Sequence, residues 1–183
     1  MSLIPKKIFF VKGKGFSSNS KLRSFEESLR DAGIEKFNLV KVSSIIPPHC
    51  KEVMKSEGLK HLETGQVVYS VLSKISSNNR DDIICASIGV AKPANEEFYG
   101  YLSEHHSIDI KPEKLGEISE GLAAEMLATT LGIPFNSESD YAKKKEILRI
   151  DGKIIETKNI TESTTVKKDG KWATVLAAAI FIL

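Results

Sequence analysis

A chain of 183 residues and 20.2 kDa has the size of one ordinary domain, which excludes a multidomain machine. With 41% hydrophobic and 27% charged residues it carries enough apolar material for a core and too little charge excess for disorder. Lys and Arg total 26 against 24 Asp and Glu, a net charge of +2 with no long one-sign run, so the electrostatic footprint of a nucleic-acid binder is missing.

Along the chain, Lys7 to Lys12 is a β-type run rich in Ile, Phe and Val. Gly13, Gly15 and the polar residues through Ser20 read as the flexible loop that ends it. In SKLRSFEESLRDAG, Leu22, Phe25, Leu29 and Ala32 recur at spacings of three and four, with Ser20 as N-cap and Gly33 as terminator, which predicts a helix with one apolar face. Phe37 to Val42 reads as a strand that breaks at Ser43-Ser44-Ile45-Ile46-Pro47-Pro48. Gln66 to Ile75 and Asp82 to Ala91 are β-rich, the second so continuous in apolar and small residues that both its faces should be covered. Glu97 to His106 reads as a further strand. Pro112 opens a long helix carrying Leu115, Ile118, Leu122, Met126 and Leu127, ended near Gly132 and Pro134.

Asp151-Gly152 and Asp169-Gly170 each suit a tight hairpin turn, so the C-terminal third reads as a meander closed by the apolar strand Ala177 to Leu183. That stretch, with its neighbours, reaches only about half of the roughly 20 residues a bilayer span requires. The N-terminal hydrophobic stretch, interrupted by Lys6, Lys7 and Lys12, is too short for a signal peptide, and no membrane partner is expected. The order of elements predicts an α+β or layered sandwich in a single domain, 1–183, over a parallel doubly wound sheet.

Most familiar chemical motifs are missing: no GxxxxGK[ST] loop, no HExxH, no GxSxG elbow and no cysteine pair at metal spacing. Cys50 and Cys85 read as free thiols in a reducing compartment, which makes the cytoplasm the default location. His105 and His106, adjacent on a strand, point to opposite faces and should not chelate one ion, so no metal is expected. His49 beside Cys50 is a nucleophile pair only on paper, because sequence neighbours rarely aim their side chains at each other.

Ser43 and Ser44 stand at the end of a strand, before a rigid diproline stretch. Their bland reading is an ordinary exit in which hydroxyls satisfy backbone groups. A serine held in a strained turn has a second option: its Oγ can attack the preceding carbonyl carbon and convert the amide to an ester. Peptide resonance opposes that step, so the fold must twist the bond, hold the hydroxyl at contact and donate to the developing oxyanion. β-Elimination, tautomerisation and hydrolysis then release ammonia and leave a pyruvoyl group.

At this point the chain resembles the pyruvoyl-dependent arginine decarboxylases. SFEESLRDAGIEKFNLVKVSSIIPP is similar to that family's helix, Ala-Gly-Ile turn, Asn-Leu strand and Ser-Ser-Ile-x-Pro-Pro processing site; ICASIGVAKP, YGYLSEHH and ATVLAAAIFIL resemble three later segments in the same order. The resemblance implies a four-layer α/β/β/α sandwich, a trimer or hexamer with sites at subunit boundaries, and cleavage between Ser43 and Ser44 into a β chain of residues 1 to 43 and an α chain of residues 44 to 183 whose pyruvoyl group derives from Ser44. Asn38 matches the asparagine thought to assist cleavage, and Glu104 matches the glutamate that donates a proton after decarboxylation. Such an acid has to be protonated at neutral pH, so burial near the site should raise its pKa. The implied reaction condenses the α-amine of arginine with the pyruvoyl carbonyl, loses carbon dioxide, protonates the α carbon and releases agmatine for polyamine synthesis.

Glu26 occupies the place where the resemblance expects an aspartate to meet the substrate guanidinium. One methylene more leaves lysine, ornithine or another amino acid open as substrate. The segment from Ser137 to Asp169 is longer and more charged than the family pattern, with Lys143-Lys144-Lys145 as solvated surface. A different pyruvoyl decarboxylase and a non-cleaving binding or assembly homologue are the alternative readings.

Overall fold

The computed structural model describes residues 3–133, 154–167 and 170–183. In chain order its elements are β1 (Lys7–Ser17), α1 (Lys21–Ala32), β2 (Asn38–Lys41), β3 (Ile45–Ile46), β4 (Lys51–Glu52), α2 (Lys55–Gly58), a 3₁₀ turn (Leu59–His61), β5 (Val67–Ser77), β6 (Ile83–Pro93), β7 (Gly100–Ile108), α3 (Pro112–Thr130), β8 (Ile154–Thr165) and β9 (Trp172–Ile182).

Among the described residues two sheets form, with strand orders β2-β5-β9-β1-β4 and β3-β7-β6-β8. The alternation of β9 shows how they stack. Leu176, Ala178 and Ile180 join a core with Phe9, Val11, Ile34 and Phe37 on the α1 side, while Ala177, Ala179 and Phe181 join Ile8, Val71, Ile88 and Leu102 between the sheets. A strand covered on both faces reads as the nearly unbroken apolar run found here. On the far side of the second sheet, Ala123, Ala124, Leu127 and Ala128 of α3 close a further core against Ala91. The layers therefore run α1, five-stranded sheet, four-stranded sheet, α3, the α/β/β/α sandwich that the resemblance implied.

Helix α1 begins where Ser20 Oγ accepts from Arg23 N at 3.1 Å and ends at Gly33 in the left-handed region, φ 73°. Its packing differs from the expected apolar face. The fully buried residues are Ser24, Ser28 and Ala32, one per turn, while Leu22 is 75% exposed and Phe25 and Leu29 pack at the rim. The reason lies in β1, which runs on through Gly13 and Gly15 to Ser17 instead of ending in a loop. A Cβ at Gly13 would strike Ser28 O and sit 2.7 Å from Ala32 N; one at Gly15 would strike Ser24 O and Ser28 N. The glycines are thus the track on which a helix of small residues lies. Ser24 and Ser28 donate back to Lys21 O and Phe25 O at 2.8 and 2.6 Å, so their burial leaves no hydroxyl orphaned.

The same device seats α3. A Cβ at Gly89 would strike Ser119 O, and one at Gly116 would meet Asn159. Ser87 Oγ lies 2.6 Å from Ser119 Oγ and 2.8 Å from Thr161 Oγ1. Leu122, expected in the core, is 40% exposed.

Strand boundaries shift elsewhere: the predicted run Glu97 to His106 is a turn closed by Phe98 N to Asn95 O, followed by β7 from Gly100. β8 and β9 are not a hairpin, since β8 pairs with β6 in one sheet and β9 with β1 and β5 in the other. Asp151-Gly152, Asp169 and the Lys143-Lys144-Lys145 tract lie outside the described residues. Gly170 does adopt the left-handed conformation, φ 72°, but at a crossing between sheets.

Gly15→Ala must displace backbone atoms of α1, and overpacking of this kind costs about 1–3 kcal/mol. Urea unfolding should show that loss, whereas Lys14→Ala on the exposed face of the same strand should stay within about 1 kcal/mol of wild type.

Candidate active site

Strand β2 pairs in parallel with β5, from Asn38 opposite Val67 to Lys41 opposite Ser70, and Val42 N extends the ladder to Ser70 O at 3.0 Å. Three residues after Val42, Ile45 and Ile46 pair with Tyr101 and Gly100 of β7 in the other sheet. Stacked sheets lie about 10 Å apart, and the four Cα steps from Lys41 to Ile45 reach at most about 14 Å. The link through Val42, Ser43 and Ser44 is therefore long enough to cross the open edge of the sandwich, with a few ångströms left for a turn. Val42 and Ile46 anchor it in the inter-sheet core, Ser43 is exposed and Ser44 is half-buried.

Two backbone bonds bracket Ser44. Leu102 N donates to Ser44 O at 2.8 Å, and Ile45 N donates to Ser43 O at 3.1 Å. Two residues beyond Leu102, and on the same face of β7, stands Glu104. Its carboxylate meets Lys41 Nζ at 3.4 Å, and its side chain keeps 37% of its exposure, so the burial expected of a neutral proton donor is not found in this chain. Lys41, at the end of β2, and the N–H of Leu102 carry no sequence motif that would have marked them.

Ser43 and Ser44 thus lie beside the strand that carries Glu104, whereas Asn38 and Glu26 are engaged elsewhere in the chain. Asn38 starts β2, four residues and about 13 Å of strand before Val42, and its Nδ2 donates to Gly65 O at 2.7 Å. Glu26 lies on α1, outside the first sheet, and pairs with Arg30 at 2.5 Å one turn on. That pair raises the pKa of the Arg30 guanidinium through its hydrogen bond to Glu26.

Beyond Ser44 the chain runs past Pro47 to Cys50 and lines a cleft of about 490 Å³ with Ile46, Cys50, Glu52, Lys92 and Phe98. Three of its charged residues, Glu52, Lys92 and Glu156, form a cluster with Lys158: Lys158 Nζ meets Glu52 at 2.5 Å and Glu156 at 3.1 Å, and Lys92 Nζ meets Glu52 at 2.8 Å. Burial alone would raise the Glu52 carboxyl, but hydrogen bonds from Lys158 and Lys92 outweigh it and hold its pKa below the ordinary range. Burial would lower Lys158, and the bonds to Glu52 and Glu156 raise it instead. This cluster draws on β4, β6 and β8, so no local sequence pattern announces it.

Burial pushes the Cys50 thiol up to about 11, while His49 turns away to Glu97 at 3.4 Å, so the pair forms no activated nucleophile. His61 contacts Lys7 Nζ at 3.1 Å, and His105 and His106 lie on alternate faces of β7. Among the described residues no group of three or more His, Cys, Asp or Glu could hold a metal ion, and no helix is long and apolar enough to cross a membrane.

An open sandwich edge with paired serines beside a carboxylate suits an enzyme that carries its reactive carbonyl on its own chain, and comparison with known proteins names the class. The model of the pyruvoyl-dependent arginine decarboxylase family matches residues 7–183, and the chain belongs to that family, whose members are carboxy-lyases with a covalently bound pyruvoyl group. It is 50% identical over 182 residues to a probable pyruvoyl-dependent arginine decarboxylase of Chloroherpeton thalassium, with 100% of both chains covered, and 49% identical to one of Chlorobaculum tepidum, covering 100% of this chain and 99% of that one. Pyruvoyl-dependent arginine decarboxylase 2 of Methanosarcina acetivorans is 46% identical over 180 residues, 98% of each chain.

A carboxyl with a depressed pKa adds stability that is present above its unfolded value, about 4.3, and lost as pH falls through its folded value. Glu52→Gln should therefore weaken the fold near neutrality by less than about 1 kcal/mol, the pairs being partly exposed, and in denaturant titrations the difference should shrink as pH falls below the ordinary carboxylate range.

Proposed function

We propose that this protein cleaves its own chain between Ser43 and Ser44, converts Ser44 to the pyruvoyl group, and decarboxylates arginine to agmatine. The observation that carries the reading is the short inter-sheet link: the Ser-Ser peptide is its centre, and the strand that holds Ser44 O through Leu102 N also presents Glu104. The site residues fit the group. Ser44 provides its atoms, Leu102 N fixes the adjoining carbonyl, and Val42 and Ile46 provide apolar anchorage on either side.

The pyruvoyl ketone supplies a carbonyl for the substrate α-amine and a sink for the electron pair freed with carbon dioxide. Leu102 N–H holds the carbonyl beside that ketone. Glu104 delivers the proton to the substrate α carbon, with Lys41 as its counter-ion before substrate enters.

The remaining residues come from the meeting of protomers, a trimer or a pair of trimers. Exposed Val40 and Ile45 lie on the edge strands β2 and β3, exposed Val67 of β5 pairs opposite Asn38 of β2, and closing that edge against a neighbour would bury Glu104 further. Across such a boundary Asn38 and Glu26 can reach a site that their own chain keeps them from. Glu26 already binds one guanidinium, that of Arg30, in the charge-assisted geometry an arginine substrate requires. The two free cysteines accord with action in the cytoplasm.

Mass spectrometry of the purified protein should find fragments of residues 1–43 and 44–183, the second shifted to a pyruvoyl terminus; an intact chain after long incubation overturns the reading. Ser44→Ala should leave the chain whole. Glu104→Gln should still be cut and should lose about 100-fold or more in kcat.

Substrate choice has its own measurement. Glu26→Gln should raise KM for arginine by about 10-fold or more with little change in kcat, the loss expected when one charged hydrogen-bond partner is neutralised. Carbon dioxide release from lysine or ornithine in preference to arginine would reassign the substrate.

A further inference from the structure

The Ser43 carbonyl oxygen is the atom on which charge develops if Ser44 Oγ attacks, and the fold has already placed a donor on it. Ile45 N–H lies 3.1 Å from Ser43 O, closing a three-residue turn with Ser44 at its centre. Ser44 is not among the residues with positive φ, so the turn is of the inverse γ type, the favourable member of the pair. The partner of Ser43 O among the described residues is this amide, while the Asn38 side chain is engaged at Gly65 O. Ile45 N–H is free for the purpose because the first bond of the β3–β7 ladder is made by Leu102 N to Ser44 O.

We infer that the backbone N–H of Ile45 is the oxyanion donor for the acyl shift at Ser43–Ser44, an inference that rests on the self-cleavage reading above. In that step a bond forms between Ser44 Oγ and the Ser43 carbonyl carbon, and the carbonyl π pair moves onto Ser43 O. Collapse of the oxyanion re-forms the carbonyl and breaks the bond to Ser44 N. The proton lost from Oγ ends on that nitrogen, so the step is an isomerisation from amide to ester without a co-reactant. The bond from Ile45 N–H strengthens as its acceptor becomes an anion, which is what lowers the barrier rather than the ground state. Because the turn is held at both ends, by Val42 N to Ser70 O and by Leu102 N to Ser44 O, the donor needs no rearrangement to act.

The test removes that hydrogen and follows processing, not decarboxylation. Ile45→Pro lacks the N–H but also restricts Ser44, so it is paired with a full chain in which an ester replaces only the 44–45 amide, made by joining a synthetic 1–49 segment to residues 50–183 at Cys50. Fragment masses over time distinguish cutting at 43–44 from hydrolysis of the introduced ester. Both variants should be cut about 100-fold more slowly than wild type, and an all-amide chain joined at the same Cys50 at the wild-type rate. Hydroxylamine should not speed cutting at 43–44 in the slow variants, because no ester accumulates before the blocked step. Wild-type processing of the 44–45 ester chain overturns the assignment, whether or not the proline variant folds. A wild-type chain that never cuts at 43–44 overturns the self-cleavage reading instead, so the two failures are distinct.

Discussion

One distance organises this molecule: the gap between two stacked sheets that a single short stretch of backbone must bridge. β2 belongs to one sheet and β3 to the other, with only Val42, Ser43 and Ser44 between Lys41 and Ile45. Hydrogen bonds at Ser70 O and from Leu102 N fix the two ends of that span, one on each sheet. The peptide between the serines is therefore positioned by the two sheets together, and its surroundings follow from the sandwich instead of from a flexible loop.

That spacing is in turn protected by how the helices sit. Each rests on glycine positions in a strand through serines and alanines of its own, so helix and sheet approach closely without large side chains to absorb error. Contacts of this kind tolerate no added volume, and they make the outer layers rigid supports for the inter-sheet core.

Much of the architecture is legible in the chain because alternation and helical spacing are local. The apolar run of β9, the capped first helix and Pro112 at the start of α3 all lie where their patterns place them. The glycines of β1 mislead for a physical reason: absence of a side chain signals a turn until a helix is known to fill the space. Leu22 and Leu122 mislead likewise, since the small residues beside them carry the packing. An Asp-Gly pair suggests a reversal of the chain, yet nothing in it says whether the strands on either side share a sheet. Ser43, Ser44 and Glu104 are visible through their motifs, while Lys41, the Leu102 amide and the Glu52–Lys92–Lys158 cluster depend on which strands the fold stacks, and one-dimensional patterns hold no trace of that.

The placement of β1 has a consequence for a severed molecule. This strand lies between β9 and β4, so a fragment ending at Ser43 would contribute an inner member of the first sheet, flanked on both sides by strands of the other fragment. Phe9 and Val11 would remain interleaved with Leu176, Ala178 and Ile180. A nick at the serines would therefore yield a tightly intercalated heterodimer, whose later loss of structure is a dissociation governed by fragment concentration, and whose reassembly would require opening a finished sheet.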